Sequence, residues 1–325
     1  MLTESVLEVD LDDKDGDPKS EGNIMKSPCS GSRQRACAIS SPFLVVLVAL
    51  TCLGLSSGVV MAQKTDTPEK EFEDFDRNNF DRSTNIDNEW LPLKPGTQFV
   101  YEGFTLKGGR RVPHRIVFTV TDLTKVIDGV RTVVCTDSDY SAGKLEEAEL
   151  IFFAQDKDGN VWHLGQYREN HEDGEFAGGR AWLAGALEGA RAGIMMKAKP
   201  RLGTPSYSQG YAPPPFNWTD RAKVYQMGQK TCVPFKCYED VLVIAESSKE
   251  ERNAQQLKYY ARGVGNIRVG WRGKDERKQE TLQLVKVVHL GPEALAKVRA
   301  EALELEKRAS VYGRTPPAEH MPATR

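Results

Sequence analysis

Between residues 90 and 290 the chain repeats one pattern: a short apolar or aromatic run, a cluster of turn residues, then another run. The runs cover residues 98–106, 115–123, 130–136, 149–155, 160–167, 222–227, 240–246, 256–261, 266–271 and 281–290. Within the second, Ile116, Phe118 and Val120 alternate with Val117, Thr119 and Thr121. Alternation with a period of two places one side of a strand on a core and leaves the other for a second environment. Many short runs of this kind, with no long helical period among them, predict a mainly β domain over residues 90–290. The expected form is a single curved antiparallel sheet or a partly open barrel or sandwich. Asp128-Gly129 and Asp158-Gly159 lie between apolar runs and read as hairpin turns, because Gly accepts the positive φ such turns need.

The pattern breaks in four places. Residues 178–199 carry Gly178, Gly179, Gly185, Gly189 and Gly193, too many for a regular helix at a cost of about 1 kcal/mol each relative to Ala. They are expected to form a loop with one short strand. Residues 203–219 end in Pro213-Pro214-Pro215 and read as an extended loop. After Pro292, Leu295, Val298, Ala302, Leu305 and Ala309 recur at helical spacing, which predicts an amphipathic helix over 291–312, supported by a Glu304–Arg308 pair. Residues 63–89 read as a linker, and residues 313–325 as a disordered tail.

Upstream, residues 1–41 form an acidic, then basic leader expected to be disordered. An uncharged run from Ser40 to Gln63 follows. Its segment 42–62 reads as a signal-peptide apolar region, with Val60-Met61-Ala62 placing cleavage between Ala62 and Gln63. The same run is also just long enough to anchor the chain in a membrane if it stays uncleaved. Both readings put the domain outside the cytoplasm, in the periplasm, cell envelope or medium. Met25-Lys26 offers an alternative start. The formal charge of −2 gives no electrostatic reason to expect nucleic acid as a partner.

Cysteine usage agrees with export. Cys232 and Cys237 flank a Pro-containing turn and are expected to form a disulfide, with Cα atoms about 5–6 Å apart. Closing so short a loop adds at most about 2–3 kcal/mol. Cys135, inside an apolar run, is expected to be a buried thiol.

No cofactor or metal motif is evident. Asp156, Asp158 and Asn160 alternate like a calcium loop, but Val161 stands where Gly is needed and Tyr167 where a bidentate Glu is needed. His163 and His171, eight residues apart across an expected strand end, give only weak support for zinc. No nucleophile elbow or phosphate loop occurs, so no catalytic residue is named. The remaining candidates are aromatic. A curled sheet would let Tyr101, Trp162, Trp182 and Tyr259, with Glu102 beside them, line a ligand pocket.

Several blocks carry a family resemblance: Pro92-Leu93-Lys94-Pro95-Gly96-Thr97 with Tyr101-Glu102-Gly103, Ala154-Gln155-Asp156-Lys157-Asp158-Gly159-Asn160-Val161-Trp162, and Tyr259-Tyr260-Ala261-Arg262-Gly263-Val264-Gly265. Over residues 78–290 the chain resembles an uncharacterised family of bacterial exported proteins and lipoproteins. The resemblance implies one extracytoplasmic β domain and no assigned activity. Ile151, Gln166 and Trp218 stand where the family pattern leads one to expect carboxylates, while Glu147 and Asp220 keep theirs. The leading expectation is a non-enzymatic module that binds a small apolar ligand or an envelope protein. A hydrolase using acidic residues and a purely structural surface protein are the alternatives.

Overall fold

The computed structural model describes residues 68–186, 189–313 and 315–321. The leader, segment 42–62 and the Ala62–Gln63 junction lie outside these residues. Among the described residues, no helix is long and apolar enough to cross a membrane.

Among the described residues, the domain is built on one large antiparallel sheet that is not closed into a barrel, plus a single C-terminal helix, as the alternation predicts. Its strands are β1 (Thr97–Lys107), β2 (Arg110–Ile127), β3 (Val130–Ser141), β4 (Lys144–Gln155), β5 (Val161–Glu172), β6 (Glu175–Leu183), β7 (Gly193–Met196), β8 (Tyr207–Ser208), β9 (Arg221–Cys232), β10 (Cys237–Ser247), β11 (Gln255–Ala261), β12 (Gly265–Arg272), β13 (Thr281–His289) and β14 (Glu319–His320). The order across the sheet is β6-β5-β4-β3-β2-β1-β13-β12-β11-β10-β9-β8, with β7 on β5 and β14 on β2. Most neighbours are hairpin partners, so the fold follows chain order except where β1 meets β13. The turn between β2 and β3 is Asp128-Gly129, at φ 47° and 80°. The turn between β4 and β5 is held by Asp156. Its carboxylate accepts from Asn160 N (2.7 Å), Asn160 Nδ2 (2.9 Å) and Trp162 Nε1 (2.7 Å). The calcium-like alternation is thus used to fix a hairpin.

Several expectations need correction. The Gly-rich stretch holds the end of β6 and all of β7. Gly193 is there because the chain comes too close for a side chain: a Cβ would lie 2.0 Å from the backbone N of Gly210. The segment expected as a linker is packed from residue 68 onward. Ile86 is buried, Phe75 and Phe80 both meet the Trp162 ring edge-on, and Ser83 Oγ donates to Arg131 O. The tail is partly ordered: β14 pairs with β2, and Ala318 and Met321 pack on the core. Cys232 and Cys237 form a disulfide, but with Cα atoms 3.9 Å apart, because they sit directly opposite each other at the mouth of the β9–β10 hairpin. Cys135 is a buried free thiol.

Helix α1 (Pro292–Gly313) lies on one face of the β2–β6 half of the sheet. Ala302 and Ala309 are buried there. Arg308 does not pair with Glu304. It reaches Glu169 on β5, and Lys307 takes Glu304 instead. Alternation along β5 puts Gln166 and Arg168 on the opposite face from Glu169. The helix therefore covers one side, and the other side, the concave one, faces the rest of the curled sheet.

Candidate functional site

The concave face can be read from the strand register. Asp137 on β3 stands opposite Phe118 on β2 and Glu149 on β4, and Glu149 stands opposite Arg168 on β5. One step along the same face are Asp139, Ile116 and Glu147; one step the other way are Cys135, Val120 and Ile151. On β3 and β4 an apolar half is thus followed by a polar half, while β2 presents Val120, Phe118 and Ile116 beside them. From β1 and the far side of the sheet come Phe99, Tyr101, Lys258 and Tyr260.

These walls line a partly open cavity of about 180 Å³. Phe99, Ile116, Phe118, Ile151, Phe153 and Leu282 supply apolar surface, and Tyr101 and Tyr260 add aromatic surface. Asp137, Lys258 and Glu280 supply charge. Asp137 and Lys258 belong to strands five places apart in the sheet, and they meet only because the sheet curls.

The polar groups form a network with a surplus of acid. Arg168 donates to Glu149 and lies 3.5 Å from Glu147, and Gln166 Nε2 donates to Glu149 at 2.6 Å. Lys258 lies 3.2 Å from Glu246, and Gln209 Nε2 donates to the same carboxylate. The buried His114 ring has Asp139 3.2 Å from Nδ1 and Glu280 2.9 Å from Nε2. Each base is therefore already matched by at least one carboxylate. Asp137 is not matched: its Oδ1 is enclosed and receives no hydrogen bond.

Titration follows from this arrangement. Burial, then the charges of Glu149, Asp139 and Glu147, push the Asp137 carboxyl well above its ordinary value, against the pull of Lys258. Burial pushes Asp139 up to about 6, with His114 opposing. Burial, then Glu246, pushes Asp220 up to about 7. For His114, burial disfavours the cation, but the hydrogen bond to Glu280 and the charges of Asp139 and Glu280 outweigh it, and its pKa rises. Asp137 lines the cavity, while Asp220 lines a separate pocket with Glu246 and Glu280; a strongly perturbed carboxyl in a cavity wall marks a functional-site candidate.

The structure separates the residues singled out from the sequence. Tyr101 lines the cavity, and its hydroxyl donates to Asn266 O at 2.9 Å. Glu102, its neighbour, points the other way into an open groove beside Phe104 and Arg115. Trp162 is locked by Asp156, Phe75 and Phe80. Trp182 is fully buried in a second cluster with Phe216 and Trp218, and its ring meets His163 edge-on at 4.9 Å. Tyr259 packs with Val243, Ala245 and Leu257 on the side opposite Tyr260. Asp137, Lys258 and Glu280 escaped the sequence reading. Their signal was parity: Asp137 and Asp139 continue the same alternate positions as Val133 and Cys135, as Glu149 and Glu147 continue those of Phe153 and Ile151.

No family model matches the chain, and no curated protein matches it. Two solved structures are similar in part. One is a proposed exported protein with a YmcC-like fold from Bacteroides fragilis, 13% identical, with a TM-score of 0.32, covering 62% of this chain and 99% of its own. The other is a proposed lipoprotein from Parabacteroides distasonis, 13% identical, with a TM-score of 0.33, covering 62% of this chain and 100% of its own.

Proposed function

We propose that this chain is an exported envelope module that holds a small amphipathic ligand in the concave cavity. The observation that carries this reading is the cavity itself: apolar and aromatic on most of its wall, with unbalanced charge at one end. A filled core would favour a purely structural role, and here the inward-facing side chains stop short of filling the space. Export rests on the leader and on the family resemblance.

The test is a thermal-shift screen of the full chain against small amphipathic compounds, repeated with Ile151→Trp. Ligand that binds only the folded state raises Tm by mass action. A Trp at 151 projects into the void, so a variant that still folds loses the shift. Retention of every shift in that variant would place binding elsewhere on the protein.

A second reading, hydrolysis by acidic residues, draws on the raised carboxyls of Asp137 and Asp220. Turnover of a chromogenic glycoside or ester that falls at least a hundredfold in Asp220→Asn would favour it over binding.

A further inference from the structure

We infer that the ligand of this cavity carries a primary ammonium or similar cationic donor, placed against Asp137, on an apolar body about the size of one aromatic ring. This inference rests on the binding reading above and names its ligand class.

Size comes first. A cavity of about 180 Å³ slightly exceeds the roughly 150 Å³ void that accepts benzene in an engineered apolar site. One ring and one or two further heavy atoms fill it. The walls at Phe99, Ile116, Phe118, Ile151 and Leu282 suit such a ring.

The head group follows from what the wall leaves unsatisfied. Lys258 could in principle bind an anion, but Glu246 already holds it at 3.2 Å. His114 is taken by Glu280 and Asp139, and Arg168 by Glu149 and Glu147. An incoming carboxylate or phosphate would have to displace one of these acids and would then meet Asp137 and Glu280. Asp137 is in the opposite state. It lines the cavity, its Oδ1 is enclosed, and no donor reaches it. A buried acceptor without a partner is costly, and a ligand donor that meets it recovers that cost. A cationic donor recovers more than a neutral one, because charge-assisted hydrogen bonds are roughly twice as strong and the surrounding acids are in surplus.

The experiment compares three probes of nearly equal shape with the full chain by calorimetry: benzylammonium, benzyl alcohol and benzoate. Benzylammonium is expected to bind at least about tenfold more tightly than benzyl alcohol, which corresponds to one charge-assisted hydrogen bond. Benzoate is expected not to bind. Asp137→Asn should bring benzylammonium and benzyl alcohol to within about threefold of each other, chiefly through weaker binding of the amine. The wild-type comparison needs no variant, so it stands even where Asp137→Asn does not fold. Equal affinity for alcohol and amine in the wild type, or preference for benzoate, overturns the head-group assignment and leaves the cavity reading intact. Failure of all three probes to bind overturns both.

Discussion

The two faces of the β2–β6 half-sheet both bury charge, and they do so in opposite ways. Under helix α1, acid and base are closed against each other. Lys125 and Glu306, only 5% and 7% exposed, lie 2.7 Å apart. Glu306 also accepts from the backbone N of Ala318. Glu169, 1% exposed, takes Arg308 and the hydroxyl of Tyr167. Asp122 accepts from Arg299 and lies 3.0 Å from His320. On the concave face every base is matched, the acids outnumber the bases, and Asp137 is left open. Burial of charge alone therefore does not distinguish a site from a clamp. An imbalance that a ligand could settle does.

The largest expected effect breaks the closed face. Glu306→Gln removes the negative charge from Lys125 while keeping the shape of the side chain. Uncompensated burial of one member of such a pair costs about 3–5 kcal/mol. Urea unfolding followed by circular dichroism should report a loss of that size, and hydrogen exchange should show α1 and β14 opening first. A loss below about 1 kcal/mol would mean that the clamp is ornamental and that the two faces do not differ in the way described.

The same contrast explains what the sequence made legible. The sheet could be read because Ile116, Phe118 and Val120 alternate with smaller or polar residues, and alternation is a local property. The clamp could not. Glu304 and Arg308 stand at the right spacing for a helical pair, yet Arg308 finds Glu169, a partner 139 residues away. Residues 68–89 were too polar to predict as core, but Phe75 and Phe80 need only cover one tryptophan to be held. The site was half legible. Tyr101, one of the aromatics singled out, lines the cavity. Trp162 and Trp182 show why aromatic character is a poor guide, since a large ring fills a core as readily as it lines a pocket. Asp137, Lys258 and Glu280 meet only after the sheet curls, and no local pattern encodes which of six successive sheet neighbours will face each other.

A smaller effect sharpens the comparison through pH. Asp139 and Asp220 bind their protons more tightly in the folded protein, to about 6 and about 7, than in the unfolded chain, where carboxyls titrate near 3.8. Between those values unfolding releases protons, so stability falls as pH rises through this window. His114, also raised, acts in the same sense: its contribution is complete below its unfolded pKa and disappears as pH rises through the folded one. Glu280 acts oppositely. Burial alone would raise it, but its contact with His114 holds it below 4.5, so its contribution is lost only as pH falls through the acid range. The sum is a stability maximum at the bottom of this window, at about pH 4. On the order of 3 kcal/mol should be lost between pH 5 and 7.5, at about 1.4 kcal/mol per proton per pH unit with allowance for screening. Asp220→Asn should flatten the slope, and Glu306→Gln should lower the whole curve without changing it. A melting temperature that climbs steadily from pH 5 to 7.5 would contradict the assignment of strain to the concave acids.

The smallest expected effect is the most discriminating one. Asp137→Asn is the same chemical change as Glu306→Gln, a carboxyl replaced by its amide, made on the open face. No base depends on Asp137, so nothing is left unpaired by its loss. The substitution removes a group that burial and the charges of Glu149, Asp139 and Glu147 already disfavour. The new amide also brings two donors into a region rich in acceptors, and Glu149 stands directly across the strand pair. Stability should therefore change by no more than about 1 kcal/mol, and in the direction of greater stability at neutral pH, since the amide replaces a half-buried carboxyl that no base matches. Urea midpoints at pH 7, measured beside Glu306→Gln, give the comparison directly. The expected signs are opposite, although the atoms exchanged are the same. A loss of 3 kcal/mol or more in Asp137→Asn would show that this carboxyl holds the sheet together, as Glu306 does. The concave face would then be a second clamp, with no vacancy for a cation.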